Sequence, residues 1–167
     1  PYCQIEGLND SKKLTEKKRE ALYEVITQKA VCWAVAWVEA AEIDATDILS
    51  ARMKAMQQAM DALTIQPEIA LIDGNRDKGR SAAITTPHKL VVVKGDSIPP
   101  STAAASILAK VSRDRSVAGE LDERYPQYQF AKHKGYGTKL HYEMLDKFGP
   151  CPEHRRSFLK KWEEKRI

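Results

Sequence analysis

A chain of 167 residues, 43% hydrophobic and 30% charged, has the composition of one globular domain with enough apolar surface for a real core. No apolar run approaches the roughly 18 residues of a membrane span, and no signal-peptide pattern opens the chain. The net charge of +4 admits a polyanionic partner without requiring one, and three cysteines without metal-ligand spacing predict reduced thiols in a cytoplasmic protein.

Asn9-Asp10-Ser11-Lys12-Lys13 leads into a helix predicted over residues 15–29, with Leu14, Ala21, Leu22 and Val25 as its buried stripe. Ser11 or Thr15 supplies the cap. Lys12 and Lys13 precede a helix start, where free amides favour phosphate; solvated lysines in a charged turn are the plain alternative. Residues 31–38 are apolar on both alternations, which predicts a strand buried on both faces at the centre of a sheet, with Cys32 as core. A second helix starts at Asp44 or Thr46 and carries Leu49, Met53, Met56, Met60 and Leu63 on one stripe, a core pattern before it is a cofactor surface.

Ile69 to Ile72 reads as a strand that delivers Asp73-Gly74-Asn75. After a charged loop over 76–80 and a short strand over 82–86, Leu90 to Val93 reads as a buried strand that delivers Lys94-Gly95-Asp96. Two carboxylates at the same edge of one sheet suit a divalent cation, which prefers hard oxygen ligands. Asp-Gly and Asp-Ser are also ordinary turn chemistry. Past Pro99 and Pro100 a helix is predicted to about Arg124. Ala103, Ala104, Ile107, Leu108 and Val111 form its buried stripe. Thr102, Ser106, Lys110 and Arg113 share the other side, hydroxyls and cations suited to a phosphate chain.

A turn at Tyr125-Pro126 opens a polar, aromatic stretch that ends in Lys132-His133-Lys134-Gly135-Tyr136. Glycines on both sides of Tyr136 let the backbone approach a ligand while the ring stacks or packs; His133, a lone loop histidine, is a candidate phosphate donor. A helix over 138–147 stops at Gly149-Pro150-Cys151-Pro152, and His154-Arg155-Arg156 with residues 160–166 makes a basic helical end.

Several of these blocks, in this order, resemble one family. Lys94-Gly95-Asp96-Ser97 and Ala104-Ala105-Ser106-Ile107-Leu108-Ala109-Lys110-Val111 with Arg113-Asp114 are similar to the type 2 ribonucleases H, ribonuclease HII. So are residues 7–14, residues 71–75, His133-Lys134-Gly135-Tyr136-Gly137-Thr138 and His154-Arg155-Arg156-Ser157-Phe158. The family opens with an Asp-Glu-x-Gly-Arg-Gly block that nothing here matches. The expectation is that amino-terminal strands of about thirty residues are missing, with two of the family's four metal-binding carboxylates.

The resemblance implies an α/β fold, a ribonuclease H-like mixed β-sheet flanked by helices over 1–137 with a small C-terminal helical extension over 138–167. It implies an endoribonuclease that uses Mg²⁺ or Mn²⁺ to cleave the RNA strand of RNA–DNA hybrids and to incise at ribonucleotides embedded in duplex DNA. Asp73 and Asp96 would be the catalytic metal ligands. Lys12, Lys13, Asn75, Lys94, Ser106, Lys110, Arg113 and Tyr136 would bind nucleic acid, with Tyr136 against the sugar on the 3′ side of the ribonucleotide. Asp10, Asp77 and Asp114 are the other acidic residues considered for the metal edge. A cytoplasmic monomer with no membrane partner is expected. The alternative is a non-catalytic nucleic-acid-binding fragment of that enzyme, since two carboxylates alone are a poor site for paired cations.

Overall fold

A computed structural model describes residues 4–74, 84–92 and 99–166. In chain order these hold α1 (Glu16–Lys29), α2 (Ala40–Ala45), α3 (Ile48–Asp61), β1 (Ile69–Asp73), β2 (His88–Val92), α4 (Pro100–Ser116), a π-helical turn (Val117–Leu121), α5 (Asp122–Arg124), a 3₁₀ turn (Pro126–Tyr128), α6 (Phe130–His133), α7 (Lys139–Phe148), α8 (Arg156–Glu163) and a last 3₁₀ turn (Glu164–Arg166). They form two compact units, Pro1–Trp37 with Arg52–Ser112, and Val38–Ala51 with Arg113–Ile167. Both sides of the 137/138 boundary expected from sequence lie in the second unit.

In the first unit, Thr15 caps α1 by accepting the Lys18 amide at 3.3 Å. The Arg19 guanidinium donates to the Ser11 and Leu14 carbonyls at 2.9 and 2.6 Å, which ties the preceding turn to the helix. Ile26 is the buried centre of α1, packed with Ile107, Leu108 and Val111 of α4; Leu14 and Leu22 flank it. Ala21, expected in the stripe, is exposed. At about 100° per residue it sits roughly 140° from Ile26, whereas Leu22 sits only about 40° away. In the α4 stripe Ala103, Ile107, Leu108 and Val111 are buried as expected, Ile107 fully, and Ala104 is half-buried.

A second cluster joins Met53 of α3 to Ala70 and Ile72 of β1 and to Ile84, with Met56 and Met60 against it, so the methionine stripe is core. Residues 84–86 are not strand; the rest of the short strand expected there lies outside the described residues. The Thr85 amide instead donates to the Gln57 side chain at 2.8 Å.

β1 and β2 pair in parallel with Asp73 opposite Val92. One face of β1, Ala70 and Ile72, is buried, while Ile69 and Leu71 are exposed. β2 starts at His88, and its Leu90 is 58% exposed, so over Leu90 to Val92 it is not the buried strand expected, and Val93 lies outside the described residues. Residues 31–38 also depart from expectation. They are not a strand, with Val31 80% exposed and Trp33 and Trp37 at the surface. A strand buried on both faces needs a sheet neighbour and two covering layers. Among the described residues the sheet is the β1–β2 pair alone. Cys32 is accordingly half-buried and not core.

The second unit has its own core of Tyr128, Phe130, Leu145, Cys151 and Leu159. Thr138 caps α7 by accepting the His141 amide at 3.3 Å, and Gly149, at φ 70, takes the left-handed backbone that ends it. The Tyr128 hydroxyl donates to the Gly149 carbonyl at 2.6 Å. Asp44 of α2 caps α8, accepting the Arg156 and Ser157 amides at 2.6 and 3.0 Å and the Ser157 hydroxyl. The Ser157 hydroxyl first, helped by the two amides and the Arg155 charge, holds the Asp44 carboxyl below its ordinary value against the opposing effect of burial. No helix among the described residues is long and apolar enough to cross a membrane.

Candidate functional site

The parallel pairing of β1 and β2 brings their carboxyl ends to one edge, the place where open α/β sheets bind ligands. Asp73, half-buried, is the last residue of β1, and the Gly74 amide donates across to the Val92 carbonyl at 3.1 Å. A carboxylate there has the hard-oxygen chemistry that Mg²⁺ or Mn²⁺ prefers. Asn75, Asp77, Lys94 and Asp96 lie outside the described residues. Among the described residues, no group of three or more His, Cys, Asp or Glu converges as a metal site. Asp10 accepts the Lys12 amide at 2.9 Å and so shapes the turn before α1.

The other face of α4 is not a row of free donors. Thr102 is buried, and its hydroxyl donates to the Pro99 carbonyl at 2.9 Å. Ser106 is half-buried and donates to the Ala103 carbonyl, also at 2.9 Å. Hydroxyls on a helix find a carbonyl one turn back, and that local bond takes the proton a phosphate would need. Lys110 is half-buried, while Lys12 and Lys13 are exposed.

In the second unit the residues around Tyr136 form a connected arrangement. Lys134 at φ 51 and Gly135 at φ 74 are successive left-handed residues, and they turn the chain sharply after α6. A Cβ on Gly135 would lie 3.2 Å from an Arg113 guanidinium nitrogen, so glycine relieves both backbone and space. Arg113 donates to the Lys134 carbonyl at 2.9 Å and lies over the Tyr136 ring, 5.2 Å from its centroid. The Tyr136 hydroxyl donates to buried Asp114 at 3.2 Å, and Asp114 also pairs with Arg113 at 3.4 Å. One face of the ring is thus backed by a cation and its tip is anchored, while the residue stays 44% exposed. Such a ring is prepared to stack on a ligand.

In the sequence Asp114 reads only as an approach to the metal edge; in the structure it anchors Tyr136. Its place beside Arg113 was visible in the sequence, but its partner twenty-two residues later was not. His133 is buried, with Nε2 bonded to the Tyr128 carbonyl at 2.8 Å, so it is not a phosphate donor. His141 and His154, which the sequence did not single out as site residues, are buried beside it.

The family model for ribonuclease HII matches residues 3–163. The solved structure of the ribonuclease H2 from Pyrococcus horikoshii OT3 is similar, with 26% sequence identity, a TM-score of 0.73, and coverage of 95% of this chain and 81% of that chain. With matching blocks in order, an α/β fold, and a family match across nearly its whole length, the chain belongs to the ribonuclease HII family.

Proposed function

We propose that the chain is a metal-dependent endoribonuclease that hydrolyses the RNA strand of RNA–DNA hybrids and incises duplex DNA at an embedded ribonucleotide. The observation that carries this reading is the family match over residues 3–163; the Asp73 edge and the anchored, outward Tyr136 support it. Asp73 and Asp96 would hold Mg²⁺ or Mn²⁺, whose charge makes a bound water more acidic and offsets charge on the scissile phosphate. Hydrolysis leaves a 5′-phosphate and a 3′-hydroxyl. Discriminating RNA from DNA requires sensing the 2′-hydroxyl, and Tyr136 against the neighbouring sugar would set the register for that. Lys12, Lys13, Asn75, Lys94 and Lys110 would contact the backbone, and Arg113 would act mainly by backing Tyr136. In this reading the protein works in the cytoplasm as a monomer.

A second reading, a nucleic-acid-binding chain without turnover, is favoured by one observation: no three-carboxylate group converges among the described residues. Both readings are tested by incubating a duplex carrying one ribonucleotide with Mg²⁺ and either the parent chain or Asp73→Asn. The expected result is cleavage by the parent and a loss of about 100-fold or more in the variant, with binding kept; even residues that merely support metal ligands can cost up to that much. Cleavage by Asp73→Asn at the parent rate would sink the role of Asp73. Binding by the parent without cleavage would select the second reading.

A further inference from the structure

Three of the chain's four histidines, His133, His141 and His154, are buried together in the second unit. The His133 and His141 rings stack at 4.4 Å between centroids, and the Nε2 atoms of His141 and His154 meet at 3.0 Å. The direction of each bond follows from the backbone. The Cys151 amide donates to Nδ1 of His154 at 3.0 Å, so the His154 proton sits on Nε2 and is donated to Nε2 of His141. His141 then carries its own proton on Nδ1, which lies 3.0 Å from the Tyr136 carbonyl oxygen. His133 holds the other end of the same turn. It accepts the Gly135 amide on Nδ1 at 3.2 Å and donates from Nε2 to the Tyr128 carbonyl.

We propose that His141 is a positioning residue for Tyr136: its Nδ1–H grips the Tyr136 carbonyl at the end of a hydrogen-bond chain that runs from the Cys151 amide through His154. The inference rests on the reading of Tyr136 as a nucleic-acid contact. The Tyr136 amide donates to the His133 carbonyl at 2.9 Å and its carbonyl accepts the Thr138 amide at 2.7 Å, while the hydroxyl bond to Asp114 fixes the tip of the ring. The His141 Nδ1–H adds a side-chain donor to that same carbonyl, and with both ends held the ring plane is set before a ligand arrives. Pre-set geometry matters because a displacement of about 1 Å at a contact can cost two orders of magnitude in rate. The chain tolerates only neutral rings, since a second proton on His141 would oppose the His154 N–H.

Two measurements on the whole chain test this. In the unmutated protein, imidazole nitrogen NMR shifts are expected to report a proton on Nδ1 of His141 and on Nε2 of His154; a proton on Nε2 of His141 overturns the proposal. The second is fluorescence anisotropy with a single-ribonucleotide duplex and its all-DNA counterpart. His141→Gln, which reaches His154 but not the Tyr136 carbonyl, is expected to lower the preference for the ribonucleotide duplex about tenfold, the scale of one lost orienting hydrogen bond. His141→Asn, whose amide replaces Nδ1–H, is expected to restore it to within about threefold on the same scale. Equal loss in both variants, or in neither, overturns the positioning role. Tyr136→Ala separates the two layers: if it leaves the preference unchanged, the nucleic-acid role of Tyr136 fails and the proposal falls with it. If Tyr136→Ala abolishes the preference and His141→Gln does not, only the positioning role fails.

Discussion

Tyr136 and the groups behind it show what single residues contribute. A tyrosine between two glycines is ambiguous in sequence, because a core-packed ring and a presented ring are written alike. What distinguishes them here is a set of partners that are remote in sequence, Asp114 and Arg113 on one side and His141 on the other. The same residues have a pH consequence. Burial first, then the neighbouring His141, lowers His154 to about 4 from an ordinary 6.5, and burial also lowers His141 despite its bond to the Tyr136 carbonyl. The titratable and charged groups facing this pair include His133, Cys151, Tyr128, Tyr142 and Arg156. A histidine whose folded value lies below its unfolded value takes its proton first in the unfolded chain. Stability is therefore complete above about pH 6.5 and falls as the pH drops from 6.5 toward 4. Asp44 acts in a lower window, because a carboxyl held down loses its contribution only as the pH falls below its ordinary 3.8. Urea midpoints measured from pH 7.5 to 4.5 should decline across the histidine window, and His154→Gln should flatten the decline. A flat profile in the parent protein would contradict the buried neutral pair.

At the level of elements, caps and apolar stripes were legible because they are local. Thr15 and Thr138 stand at their helix starts, Gly149 stops α7, and the stripes of α3 and α4 are buried. The helix expected to start at Asp44 or Thr46, however, starts at Ile48, where Asp47 accepts the Leu49 and Ser50 amides, and Asp44 lies inside α2. Pairing was less legible. The apolar run over 31–38 reads as a central strand, yet a strand is made by its neighbours, and among the described residues it has none. Thr102 and Ser106 mark a related limit, since sequence places a hydroxyl on a helix face but not the carbonyl that claims its proton. The cap on α8 could not be read at all, because Asp44 lies more than a hundred positions earlier. Removing that cap with Asp44→Ala should cost about 1 kcal/mol, within the range of helix caps. Chemical denaturation of the variant beside the parent checks it, and an unchanged midpoint would show that the three bonds to α8 carry no net stability.

For the whole molecule, the ordered blocks made the family visible, because several motifs in a fixed order constrain identity far more than any one of them. The parallel β1–β2 pair bears out the inference that two strands end at one edge, with Asp73 at the end of the first. The cation site itself was legible only as residue types at strand ends, and Asp96 lies outside the described residues. The proposed activity is hydrolysis of a duplex where, and because, a ribose stands in it. The most direct test offers the protein two duplexes of identical sequence with Mg²⁺, one all DNA and one with a single ribonucleotide, and resolves the product ends. Cutting confined to the ribonucleotide duplex, leaving a 5′-phosphate and a 3′-hydroxyl, is the predicted result. Equal cutting of both duplexes would contradict the account.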